Sequence, residues 1–159
     1  KIGVILGKAE TEESVDRIAG LKDGLEGSGC EILWEYNYAR GNQNTSEIIA
    51  SKKQVDYLVI LDNWALEEVG EAAEENKYHG AKIYGVGSSE KAIVLLDNQN
   101  IECLVVPDDY ETGYMSMNEI AKKLRHSFYK MNSCETEVRI INKEDLYSKD
   151  LERFLYSYE

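Results

Sequence analysis

Short apolar runs alternate with amphipathic segments from one end of the chain to the other, and this alternation restricts the fold more than any other feature. The runs are Ile2–Leu6, Glu31–Trp34, Val55–Leu61, Ile83–Val86 and Ile101–Val106. Three of them are almost continuously apolar, as parallel strands are when other layers cover both faces of their sheet. Between the runs the period becomes helical. Val15, Ile18, Leu21 and Leu25 share one face; Glu12 and Glu13 suit a helix N-terminus, and Gly27-Ser28-Gly29 forms a stop. Asn44, with Glu47 three residues on, has the form of a capping box for a short second helix. Asp62 or Asn63 caps a third, striped by Ala65, Leu66, Val69, Ala72 and Ala73. A fourth begins near Ser88 and carries Ala92, Ile93, Leu95 and Leu96. The fifth and longest spans about Tyr110–Met131, with Met117, Ile120, Ala121, Leu124 and Phe128 on one face.

Strand followed by helix, repeated along the chain, predicts a doubly wound α/β domain with a parallel sheet in flavodoxin-like order. A last run, Glu135–Ile141, alternates Val138 and Ile140 with polar residues and reads as an edge strand. The tail, Lys143–Glu159, carries Leu151, Phe154 and Leu155 and ends in a short helix. At 159 residues, residues 1–159 suit one domain with a buried core. The single proline, Pro107, follows the fifth run and turns the chain.

Bulk properties remove several functions. The formal charge is −12, from 30 acids against 18 bases, and such a surface repels phosphates, so direct binding of nucleic acid is not expected. Cys30, Cys103 and Cys134 form no CxxC or Cys/His spacing, so neither a metal site nor a redox motif is expected. Cys103 lies in an apolar run and reads as a small core residue. No stretch reaches the roughly 18 apolar residues that a membrane span needs. The chain opens Lys1-Ile2-Gly3-Val4, without methionine and already inside a strand, as a truncated product or an excised fragment would. Neither cysteine usage nor the missing leader then decides the compartment.

Ligands of open parallel sheets collect at the carboxyl ends of the strands. That nominates the loops Gly7–Ser14, Asn37–Asn44, Leu61–Trp64, Val86–Glu90 and Val106–Tyr110. The first has neither G-x-G-x-x-G nor a P-loop, and Glu10, Glu12 and Glu13 would repel a phosphate, so no nucleotide cofactor is expected. A phosphorelay receiver would use Asp62 as acceptor and Ser88 as its hydroxyl residue. It lacks the acidic pair after strand one, and Pro107-Asp108-Asp109 stands where its lysine belongs. Asp62 reads better as a helix cap. There is no G-x-S-x-G elbow, and His79 and His126 lie away from the nominated loops.

Several stretches, in order, resemble one family. Thr11–Leu21, with Arg17 and Gly20, resembles the S-x-x-x-R-x-x-G-F helix that opens the second lobe of ribose-binding-protein and lactose-repressor-like proteins, the type I periplasmic binding proteins. Val55–Leu66 resembles that family's D-x-x-x-x-x-N-D-x-x-A-L, Ile83–Gly87 its V-V-G-F-D, and Pro107–Tyr114 its Q-D-P-Y-x-x-G-Y. Val138-Arg-Ile-Ile-Asn-Lys-Glu-Asp-Leu resembles its closing v-x-L-I-T-K-E-N-v.

The resemblance implies one lobe, the second, of a two-lobed clamshell that closes over a small molecule, usually a sugar, without catalysis. It implies ligand contacts by Arg17, Asp62, Asn63 and Trp64, the indole stacking on a sugar face. Arg17 has a plainer reading as an i,i+4 partner of Glu13, and Trp64 one as packing in the first turn of helix three. Leu61, Gly87 and Pro107 depart from the family's asparagine, aspartate and glutamine, so three usual hydrogen-bonding side chains are missing. The implied setting is a solute-binding protein of an ABC-type sugar transporter or a related sensor, extracellular or tethered to the cell surface as a lipoprotein. Three alternatives stay open: the effector lobe of a lactose-repressor-like regulator, a flavodoxin-like or phosphorelay domain, and a cytoplasmic location. In relatives the helix after the fifth strand packs on the first lobe. The 110–131 stripe is therefore expected to meet a first lobe, fold back on its own sheet, or bury itself in a second copy.

Overall fold

The computed structural model describes residues 1–8, 11–41 and 44–155. In chain order these form β1 (Ile2–Leu6), α1 (Glu12–Gly24), β2 (Ile32–Asn37), α2 (Thr45–Ala50), β3 (Tyr57–Ile60), α3 (Asn63–Ala72), β4 (Lys82–Val86), α4 (Glu90–Asp97), β5 (Cys103–Pro107), α5 (Asp109–Arg125), β6 (Val138–Ile141) and α6 (Glu152–Leu155). One sheet holds all six strands in the order β2-β1-β3-β4-β5-β6. The first five are parallel, and β6 closes the edge antiparallel to β5. The chain goes from β1 outward to β2 and returns past β1 to β3. The order therefore reverses between β1 and β3, and a crevice opens there at the carboxyl ends.

The core is unequal on the two faces. On one face Ile5, Leu58, Ile60, Ile83, Leu104, Val106 and Ile141 pack beneath Ile49 of α2, Ala65, Leu66 and Val69 of α3, and Ala92, Leu95 and Leu96 of α4. The α3 layer sits close because β4 presents Gly85 to it; a Cβ there would lie 2.3 Å from Leu66 Cδ1. On the other face, Ile2, Val4, Leu6 and Leu61 meet Ile18, Leu21 and Leu25 of α1, with Ile32, Val59 and Val86 of the neighbouring strands. Phe154 and Leu155 of the tail join the larger cluster, as their apolar spacing predicts.

Several local expectations change. The second strand is Ile32–Asn37 rather than Glu31–Trp34, because Tyr36 and Asn37 continue the pairing with β1. Asn44 stands at the N-cap of α2, but no side-chain cap bond forms, and Glu47 instead pairs with Lys77 at 2.7 Å. Helix α4 starts at Glu90, capped by the Ser89 hydroxyl, not near Ser88. The fifth helix stops at Arg125, short of Met131. There Lys123 Nζ donates to the carbonyls of Ser127 and Tyr129, and the buried Glu119 accepts from the Tyr129 hydroxyl and the Asn132 amide. These bonds reward a reversal over another helical turn. The stripe does not fold back on its own sheet, since neither buried cluster contains an α5 residue. Cys103 is not a core residue but lies half-exposed on the sheet face away from α3 and α4.

Candidate ligand cleft

A cleft of about 310 Å³ opens at the carboxyl ends of the strands, within the usual size range of small-molecule sites. Glu13 and Arg17 of α1 line it, together with Asp62, Asn63 and Trp64 at the start of α3, Gly87 and Ser88 after β4, and Pro107 and Asp109 after β5. A larger hollow of about 510 Å³ lies along one stretch between Lys22 and Ile32, away from the crevice where the strand order reverses.

Each wall of the cleft has a local cause. The Thr11 hydroxyl accepts from the Ser14 amide and starts α1, which sets Arg17 one turn later facing β3. Arg17 Nη1 donates to the carbonyl of Leu61 at 2.7 Å, and Nη2 pairs with Glu13 at 2.5 Å. The plain i,i+4 pairing and the position in the site are therefore both realised. The guanidinium ties α1 to the β3–α3 turn and still lines the cleft, with donors to spare among its five. The Leu61 side chain is buried and its backbone oxygen holds the arginine.

Asp62 is the N-cap of α3, its Oδ1 accepting from the Ala65 amide at 2.9 Å. Its second oxygen crowds Gly7, where a Cβ would stand 2.9 Å away. Asn63 Nδ2 donates to Glu67 at 2.9 Å, and its Oδ1 is buried against Gly87 without a hydrogen-bond partner. A Cβ at position 87 would come within 2.3 Å of that oxygen. A side chain at position 87 would therefore have to displace Asn63.

Trp64 is 48% exposed, which sets aside packing inside α3 as its role. Its ring lies beneath the guanidinium of Arg40, 3.8 Å from Cζ to the ring centroid. Arg40 comes from the loop after β2; it does not line the cleft itself but covers Trp64, which does, and sequence reasoning did not single it out. A basic residue in one of the nominated loops was its only signal. Beside it Tyr38 is buried, and burial together with the Glu68 carboxylate pushes its phenol upward, which keeps the hydroxyl protonated. Across the cleft, the Ser88 hydroxyl donates to Asp109 at 2.8 Å and joins the loops after β4 and β5.

All four expected residues, Arg17, Asp62, Asn63 and Trp64, reach the same cleft. Glu10, expected to repel phosphate there, lies outside the described residues. The histidines are exposed and distant, His79 in the turn before β4 and His126 at the end of α5. Among the described residues no group of His, Cys, Asp and Glu has the form of a metal site. No helix among them is long and apolar enough to cross a membrane.

Comparison with known proteins gives a consistent answer. No curated protein matches the chain in sequence. Among solved structures, it is similar to the solute-binding protein of a carbohydrate transporter from Agrobacterium radiobacter, in complex with D-arabinose: 20% identity, TM-score 0.83, covering 98% of this chain and 55% of that one. GanP, a glucose-galactose binding protein from Geobacillus stearothermophilus, is 19% identical with a TM-score of 0.78, covering 92% of this chain and 54% of that one. An ABC transporter solute-binding protein from Bacillus halodurans with bound myo-inositol is 14% identical with a TM-score of 0.77, covering 91% of this chain and 52% of that one. The chain thus spans about half the length of these structures, and at such identities they establish the fold. The sequence profile of the periplasmic binding protein domain matches residues 1–127. On that match, the chain belongs to the periplasmic binding protein domain family.

Proposed function

We propose that this chain is a non-catalytic binding lobe for a small carbohydrate-type molecule, the second lobe of a solute-binding protein of a sugar transporter or a related sensor. One observation carries the reading: Arg17 and Trp64, from two different helices, open on a single cleft at the reversal of strand order. A sugar ring has an apolar face and a rim of hydroxyls. Trp64 offers a flat surface for the face, and Arg17, Asp62 and Asn63 offer donors and acceptors for the rim. Leu61, Gly87 and Pro107 cannot bond hydroxyls through side chains, so recognition falls on these four, with Arg40 over the indole. The solved relatives with bound D-arabinose and myo-inositol support a polyhydroxylated ligand.

The same reading makes α5 and the stretch to Met131 the surface for a partner, either a first lobe or a second copy. It places the protein outside the cell or tethered to its surface, beside a membrane transporter, and requires no cofactor.

The test is thermal stabilisation by D-arabinose, D-fucose, D-galactose and myo-inositol, followed by circular dichroism. A ligand at 100 times its Kd stabilises by about 2.7 kcal/mol. For a chain of this size that raises Tm by roughly 5–10 °C. Trp64→Ala and Arg17→Met should each abolish the shift. No response to the panel, or an undiminished response in both variants, would refute the assignment.

A further inference from the structure

A guanidinium already occupies one face of the Trp64 indole. The Cζ of Arg40 stands 3.8 Å from the ring centroid. That is van der Waals contact, so no ligand atom fits between the two groups. Trp64 lines the cleft and Arg40 does not. The guanidinium and the cleft therefore lie on different sides of the ring, and the rest of this chain leaves 48% of Trp64 uncovered.

Fixed backbone brings both partners to this contact. Tyr38 is buried, and its amide donates to the carbonyl of Leu6 at 2.8 Å, so the chain leaves the sheet at a set point two residues before Arg40. Gly41, directly after it, has a φ of 87°, a conformation that side chains rarely adopt, and turns the chain there. Trp64 sits in the first turn of α3, where the Asp62 cap sets the start of the helix. None of these anchors fixes the indole itself. The direction of a half-exposed tryptophan ring is left to its side-chain torsions, which have several staggered wells. A planar, delocalised guanidinium can lie against the ring and select among those wells, as a compact ammonium cannot do equally well.

We propose that Arg40 is a positioning residue of the cleft: it backs the Trp64 indole and holds the opposite face of the ring toward the ligand. This rests on the carbohydrate reading for the nature of the ligand, while the hold on the ring exists without one. A cation–π contact at an exposed site shifts a population roughly 2–5-fold. Binding that needs the held rotamer weakens by the same factor once the hold is removed, because a smaller fraction of molecules is competent to bind. Had the guanidinium taken the ligand's own place on the ring, its removal would strengthen binding instead.

Nitrogen-15 relaxation of the Trp64 indole N–H tests the hold directly, its resonance assigned by its loss in Trp64→Phe. In the natural chain its heteronuclear NOE should match those of the α3 backbone amides. Arg40→Gln, which removes the charge, should lower it clearly, and Arg40→Lys, which keeps the charge, should recover part of the order. Titration with D-arabinose and with myo-inositol should show affinity roughly 2–5-fold weaker in Arg40→Gln, with Arg40→Lys between the two. An indole equally ordered in Arg40→Gln, or a sugar affinity that holds or rises there, would overturn the role of Arg40. Should neither sugar bind the natural chain, the carbohydrate reading loses its support, and the order of the indole alone upholds or overturns the role of Arg40.

Discussion

Gly87→Ala tests the claim that positions 63 and 87 share one space. The glycine shows no left-handed φ, so its backbone tolerates a side chain and only the neighbours oppose one. A Cβ would lie 2.3 Å from Asn63 Oδ1 and 3.3 Å from Leu66 Cδ2. Asn63 must then rotate away. Its bond to Glu67 is lost, about 0.5–1.5 kcal/mol, and a displaced rotamer costs about 0.5–1.5 kcal/mol. Against this, replacing glycine by alanine stabilises by about 0.4–1 kcal/mol through the unfolded chain. The net expectation is a loss of about 1–2 kcal/mol, seen as a fall of roughly 3–6 °C in Tm. In an Asn63→Ala background the obstacle is gone, and the same substitution becomes neutral or stabilising by up to about 1 kcal/mol. Urea denaturation of the two single variants and the double variant gives the coupling, expected near 2 kcal/mol. A cycle that is additive within about 0.5 kcal/mol would refute the shared space.

Arg17→Met keeps the apolar stem and removes the bond to Leu61 O, which is worth about 1–2 kcal/mol for a charged donor one-third exposed. Urea titration that shows less than about 0.5 kcal/mol would mean that the guanidinium does not tie α1 to β3. The bonds from the Asn132 amide, Lys122 and Tyr129 hold the Glu119 carboxyl down to about 2. A depressed folded value means that the clasp at the end of α5 is fully stabilised above the unfolded value of about 4.3 and is lost as the pH falls toward 2. Amide exchange at Asn132 should therefore accelerate across that window in the natural chain and show no such step in Glu119→Gln; identical profiles would contradict the assignment.

The architecture was legible because it rests on periods and on local chemistry. The runs at Ile2–Leu6 and Ile83–Val86, the stripe from Ala65 to Val69 and the cap at Asp62 all became the elements they predict. Boundaries shifted where a bond outside the local pattern decided them. Glu47 left the capping box for Lys77, and Glu119 ended α5 early by gathering the segment that follows it. The cleft was legible through the rule for carboxyl ends of strands and through the family resemblance. That rule nominated the loop of Trp64, while Arg17 came from the family resemblance with Glu13 as its foreseen partner; the bond of Arg17 to Leu61 O and the stacking of Arg40 on Trp64 were not foreseen.

What the sequence by itself determined is the order of strands and helices, which side chains are apolar enough to be buried, and which loops lie at the ligand end. Each follows from spacing along the chain. Only the tertiary structure decided that Arg40 lies over Trp64, that Asn63 fills the room beside Gly87, and that α5 joins neither buried cluster. These depend on how segments far apart in the chain approach one another, and the period of a segment says which face it buries but not what it is buried against.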